Sequence, residues 1–149
     1  MTADLEFHSR DEILAAARPF LDAHAIRLVR FGLEHSTKNL TVESAAKHLG
    51  IHRRALEYRG VRAGLVPPQR MLAWCRALHA AELLGRTEAT TERIAEVVGY
   101  SSADALRKAW SRLGLKVSEV RTPGGPRRAV LSFATELRRA SASERSSRS

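Results

Sequence analysis

Six histidines and one cysteine are the side chains with the widest chemical repertoire here, and their spacing argues against its use. His48 and His52 stand four residues apart, a separation that can place two imidazoles on one helix face around a shared metal. Gly50 lies between them, where a turn is expected, so the shared face is lost. No second cysteine and no H-E-x-x-H accompanies the pair, and His8, His24, His35 and His79 are scattered, so no metal site is expected. Cys75, the single cysteine, excludes an internal disulfide, fits a reducing cytosol and reads as a buried helix residue. No G-x-S-x-G, Walker loop or dinucleotide glycine pattern occurs, and the acids show no paired-carboxylate spacing. The expectation is a protein that is not an enzyme, with no cofactor and no evident small-molecule site.

The remaining chemistry is electrostatic. The 149 residues carry a net charge of +9, unevenly distributed. Residues 1–40 hold 5 basic against 6 acidic side chains, residues 41–121 hold 14 against 8, and residues 122–149 hold 6 against 2. A positive field on the middle and tail suits a polyanionic partner, nucleic acid first and an anionic membrane surface second. The chain is long enough for one compact domain or two small lobes, and 44% apolar residues supply a real core. With only 5% aromatics and abundant alanine, helices are favoured over sheets. The N-terminus lacks the apolar run of a secretory signal, and no stretch approaches ~18 apolar residues, so a cytoplasmic protein is expected.

The elements that would position such charges can be read along the chain. Ser9 and Glu12 have capping-box spacing before a first helix with Ile13, Leu14 and Ala17, which Pro19 interrupts. A second helix is expected from about Asp22 to Glu34, burying Ala25, Leu28 and Phe31. Residues 1–38 are expected to pack on the next lobe. Then comes a repeat: Ala46 to Gly50 and Ala95 to Gly99 each place alanine four residues before glycine, 49 residues apart. Thr41 precedes the first copy, Thr90 and Thr91 the second, and polar cap candidates follow at His52 and at Ser101 and Ser102. Small residue, helix and glycine turn are the needs of a helix-turn-helix unit, whose two helices cross steeply. Between the copies, Pro67 and Pro68 open a bridging helix over about 67–84, stopped at Gly85, with Met71, Leu72, Cys75, Leu78 and Leu83 apolar on more than one side and Trp74 as partial core. Past Arg121 the Thr-Pro-Gly-Gly-Pro run marks a break. Residues 122–149 read as a basic, largely disordered tail with one short amphipathic helix over 129–140.

With these residues in view, the segment from about Leu40 to Arg121 resembles the DNA-binding domain of the AraC/XylS family of bacterial transcription regulators. Ile94, Ala95, Val98, Gly99, Tyr100 and Ser101 fall on its I-A-x-x-x-G-F-S pattern, and Arg76, Ala80, Leu83 and Leu84 match its R-L-x-x-A-x-x-L-L. Leu106, Trp110, Gly114 and Leu115 fall near its F-x-x-x-F and G-V positions, and Glu119, Val120 and Arg121 near its closing E-Y-R. In the departures, His52 stands where serine usually caps, Gly60 and Val61 where a buried phenylalanine is usual, and Lys116 and Val117 replace S-P. Gly64 comes one residue early, and the second unit is one residue short before Gly114. Gly60 costs about 0.5–1 kcal/mol in a helix interior, so the first recognition helix is expected to be short or frayed.

The resemblance implies an all-α fold of two helix-turn-helix lobes (about 41–63 and 91–113) joined by the bridging helix in a domain over 39–121. It implies a regulator, activator or repressor, that sets two recognition helices in successive major grooves about 34 Å apart. Base contacts would come from Arg53, Arg54, Glu57 and Tyr58 in the first unit and Ser102, Ala103, Asp104, Arg107 and Lys108 in the second. Arg59, Arg62, Arg112 and Lys116 would take phosphates. Leu56, Leu106, Ala109, Trp110 and Leu113 have core spacing instead. The partners implied are double-stranded DNA and RNA polymerase, with no membrane and no room for a sensing domain. The alternative is a helix-turn-helix module that docks proteins and has lost specific DNA binding.

Overall fold

A computed structural model describes residues 4–62 and 66–148, and within them the side chains of 4–58 and 66–142. The described residues form an all-helical fold without strands. Helix α1 (Arg10–Ala17) gives way at Pro19 to a short 3-10 turn, and α2 spans Ala23–Glu34. Asp22 caps α2 by accepting the Ala25 N–H at 2.8 Å, and Ala25, Leu28 and Phe31 face inward as their spacing requires.

At the start of α1 the expected Ser9–Glu12 capping box is absent, because the Ser9 side chain makes no cap hydrogen bond. The nearby N–H groups find a distant partner. Glu82 accepts from His8 N–H at 2.7 Å and from Ser9 N–H at 2.9 Å. An ionised carboxylate is a stronger acceptor than a hydroxyl, so the tertiary contact wins over the local one.

The first unit consists of α3 (Val42–Leu49) and α4 (Arg53–Arg62), the second of α6 (Thr91–Val98) and α7 (Ala103–Arg112). Between them α5 (Pro68–Arg86) is the bridging helix. Met71, Leu72, Trp74, Cys75, Ala77, Leu78, Ala80, Ala81, Leu83 and Leu84 are buried around its whole circumference, as befits the central element of the core. Trp74 is fully rather than partly enclosed. Helices α2, α3, α4 and α6 all pack on α5, so residues 4–38 contact the bridging helix as well as the first unit.

Two boundaries differ from those read in the sequence. Gly85 does not stop α5, which continues to Arg86. Its role is close approach: a Cβ there would lie 2.2 Å from Cγ of Pro126. After the short α8 (Val117–Val120), the segment expected to be mostly disordered forms α9 (Gly125–Arg148), which packs along α5 and against α1 and α8. Ala129, Phe133 and Leu137, spaced by four, bury nearly completely, and Phe133 lies against Trp74 with ring centroids 5.4 Å apart. Burial of that stripe supplies what the Ser- and Arg-rich composition does not, and a helix once nucleated extends at small cost per residue.

Candidate nucleic-acid interface

The two units share one local geometry. In each, the glycine after the first helix adopts a left-handed conformation, φ 71° at Gly50 and φ 94° at Gly99. The alanine four residues before it supplies the carbonyl that closes the turn. Ile51 N–H donates to Ala46 O at 3.0 Å, and Tyr100 N–H donates to Ala95 O at 2.8 Å. This is a Schellman ending, which a residue with a Cβ strains at the glycine position. The repeat seen in the sequence is therefore a repeat of backbone structure.

Caps fix where the second helix of each unit begins. Ser102 Oγ accepts Ala105 N–H at 3.0 Å at the start of α7. His52 Nδ1 accepts Arg54 N–H at 3.1 Å at the start of α4, so the histidine does the serine's work when that nitrogen is unprotonated. The first helices are capped as their threonines suggest, by Thr41, paired reciprocally with Ser44, and by Thr90. The expected fraying of α4 is not observed, since its backbone stays helical through Gly60 to Arg62. Leu56 is buried beneath it, and Leu106, Trp110 and Leu113 are buried beneath α7, with Ala109 half-buried.

With their apolar sides turned inward, α4 and α7 present their polar sides outward. On α4, Arg53, Arg54 and Tyr58 are exposed, with Glu57 beside them. On α7, Asp104, Arg107, Lys108 and Arg112 are exposed, and Lys116 follows. Two pairs are latched to each other: Arg53 to Glu57 at 3.2 Å and Lys108 to Asp104 at 3.0 Å. Exposed pairs of this kind contribute only about 0.3–0.5 kcal/mol, so these side chains separate from each other at small cost. Arg54 and Arg107 make no side-chain hydrogen bond or ion pair among the described residues. Arg107 and Lys116 also flank a cleft of about 430 Å³ between α7 and α8.

The residues expected to make contacts differ in exposure. Ala103, expected to reach a base, is 8% exposed and belongs to the packed face of α7. Burying a methyl against the lobe at the first helical position outweighs leaving it outside. Ser102 is exposed, but its hydroxyl is committed to the cap. The side chains of Arg59 and Arg62 lie outside the described residues.

Three arginines that the sequence does not mark as functional hold the units in place. Arg76 on α5 donates to the Ser36 and Lys38 carbonyls before α3, and its guanidinium sits over the Tyr100 ring at 5.8 Å from the centroid. It thus joins the entry to the first unit and the turn of the second. Burial lowers its pKa, and burial also pushes the Tyr100 phenol up to about 12, so the phenol stays neutral at pH 7. Arg121 donates to the Leu84, Thr87 and Ala89 carbonyls, capping the bridging helix from α8. Arg70 donates to both carboxylate oxygens of Glu136 on α9, at 2.8 and 2.6 Å, and to the Arg112 carbonyl at 3.1 Å. Trp74 Nε1 donates to the same carboxylate at 3.0 Å. Held by Arg70 first and Trp74 after it, Glu136 titrates below the usual carboxylate range. A separation of 66 residues between Arg70 and Glu136 leaves no local pattern that could have revealed the pair.

A family model described as a helix-turn-helix domain matches residues 45–122, just over half of the chain. The chain belongs to the AraC-type helix-turn-helix family. The matched span of this family takes in both glycine turns and both recognition helices and ends before α9. No curated protein and no solved structure matches the chain. Among the described residues no helix is long and apolar enough to cross a membrane, and no group of three metal-ligating side chains converges.

Proposed function

We propose that this AraC-type protein is a sequence-specific regulator of transcription that binds double-stranded DNA with α4 and α7 in successive major grooves. The observation that carries the reading is the doubled helix-turn-helix with matching turns, each unit offering an exposed polar helix face with an unpaired arginine, Arg54 or Arg107. The fork of a guanidinium suits guanine O6 and N7, and Glu57 and Asp104 suit cytosine N4. We assign base contacts to Arg53, Arg54, Glu57, Tyr58, Asp104, Arg107 and Lys108, with Ser102 ordering the helix start. Phosphate contacts go to Arg59, Arg62, Arg112 and Lys116, which position the protein without specifying sequence. Such a protein works in the cytoplasm, without catalysis, and reaches RNA polymerase as a second partner where it activates.

The test is selection of bound sites from random duplex DNA at ~150 mM salt, a physiological ionic strength. The expected product is a pair of short motifs separated by about one helical turn. Recovery of no enriched motif would overturn sequence-specific regulation. Binding to a protein partner that is insensitive to salt would point instead to a docking module, since phosphate contacts weaken steeply with salt.

A further inference from the structure

We infer that α9 is a spacing clamp: through Glu136 and Arg70 it fixes the outer end of α7, and so sets the half-site separation the protein reads. The inference rests on the DNA-binding reading above and names a positioning pair for it. Among the described residues, two polar ties to the bridging helix bracket α7. At the turn before it, Arg76 lies over Tyr100, and this tie uses residues of the family module alone. At its far end, the Arg112 carbonyl is held by Arg70 Nη1, while Nε and Nη2 of the same guanidinium are held by Glu136. Only this second tie depends on a residue beyond the family match, which ends at residue 122.

The geometry makes the dependence strong. A guanidinium presents donors in a rigid planar fork, so fixing two of them on Glu136 also aims the third at Arg112. Glu136 is itself fixed by Trp74 Nε1, by the Trp74–Phe133 contact, and by Pro126 seated on Gly85 near the other end of α5. Helix α9 therefore runs antiparallel along the bridging helix, braced at both ends, and Glu136 has little freedom to follow a displaced Arg70. Because one added base pair moves a half-site ~3.4 Å and turns it roughly 35° about the duplex, a small rotation of α7 on α5 changes which spacing fits.

The variants are Glu136→Gln, which keeps the acceptor for Trp74 but removes the charge, and Arg70→Lys, which keeps one ion pair but cannot reach Glu136 and Arg112 together. Each full-length variant is compared with wild type on the selected duplex and on versions lengthened or shortened by one base pair. In parallel, spin labels on cysteines placed at the exposed Lys47 and Ser111 report the separation of the two units. Cys75 does not compete for label, being fully buried with its thiol pushed up to about 12. The expected result is that both variants melt cooperatively, lose roughly threefold or more of the wild-type spacing discrimination, and broaden the label distance distribution. A folded variant that keeps the wild-type spacing discrimination overturns the inference. Should wild type select no duplex, the DNA reading fails by itself, and an unchanged label distribution in both variants then overturns the clamp separately.

Discussion

His79 shows how much a single side chain can report about this fold. It stacks on Phe7 with ring centroids 4.6 Å apart, exchanges a hydrogen bond with Ser36 through Nδ1, and meets the Leu5 carbonyl through Nε2. Burial is the main cause lowering its pKa from 6.5, only partly offset by the Leu5 carbonyl. The unfolded chain then binds a proton that the folded chain refuses. The contribution of His79 is therefore present above about pH 6.5 and is lost as pH falls below it. Chemical denaturation between pH 7 and pH 5 should show stability declining, with a shallower decline in His79→Gln; equal slopes would mean that burial of His79 does not contribute to the pH dependence. Gly85→Ala is a second residue-scale test. Alanine gains up to about 1 kcal/mol of helix propensity, but its methyl would meet the Pro126 ring, which is fixed to the α9 backbone. Overpacking of that kind costs about 1–3 kcal/mol, so a net loss is expected in urea denaturation. Trp110→Ala should cost about 3–5 kcal/mol, because that indole is completely enclosed beneath α7.

At the scale of elements, what was legible in the sequence followed local rules. Alanine four before glycine, with a threonine or serine cap, describes the two turns because short-range sterics and hydrogen bonds decide them. The bridging helix and the inward faces of α2 and α7 followed from periodicity. What was not legible depends on residues far apart in the chain. Glu82 displaces the local Ser9 cap, and Pro126 makes use of Gly85 where a helix end was expected. The tail is the clearest case, since the stripe of Ala129, Phe133 and Leu137 gains its meaning only from the Trp74 surface it covers. Deletion of residues 122–149 is accordingly predicted to do more than remove basic charge. It uncovers Trp74 and leaves Arg70 without Glu136, a loss exceeding the ~3–5 kcal/mol typical of one buried aromatic. Thermal melting of the chain ending at Arg121 should show a broad or greatly lowered transition; an unchanged midpoint would mean that α9 is an accessory.

For the whole molecule, the site is a matter of how two similar faces are carried by one rigid core. The exposed faces proposed to read bases were only partly legible, since the family pattern gives positions but not which side of a helix packing claims. Ala103 is inside, whereas Asp104, Arg107 and Lys108 are outside. The most direct measurement of the central claim is the affinity of wild type, Arg54→Ala and Arg107→Ala for the selected duplex and for a scrambled duplex. If both units read bases, each substitution weakens binding to the selected duplex by about 1–3 kcal/mol, leaves the scrambled duplex nearly unaffected, and relaxes preference at its own half-site alone. Equal losses on both duplexes for either variant would contradict the account, because that helix would then be touching phosphates and not sequence.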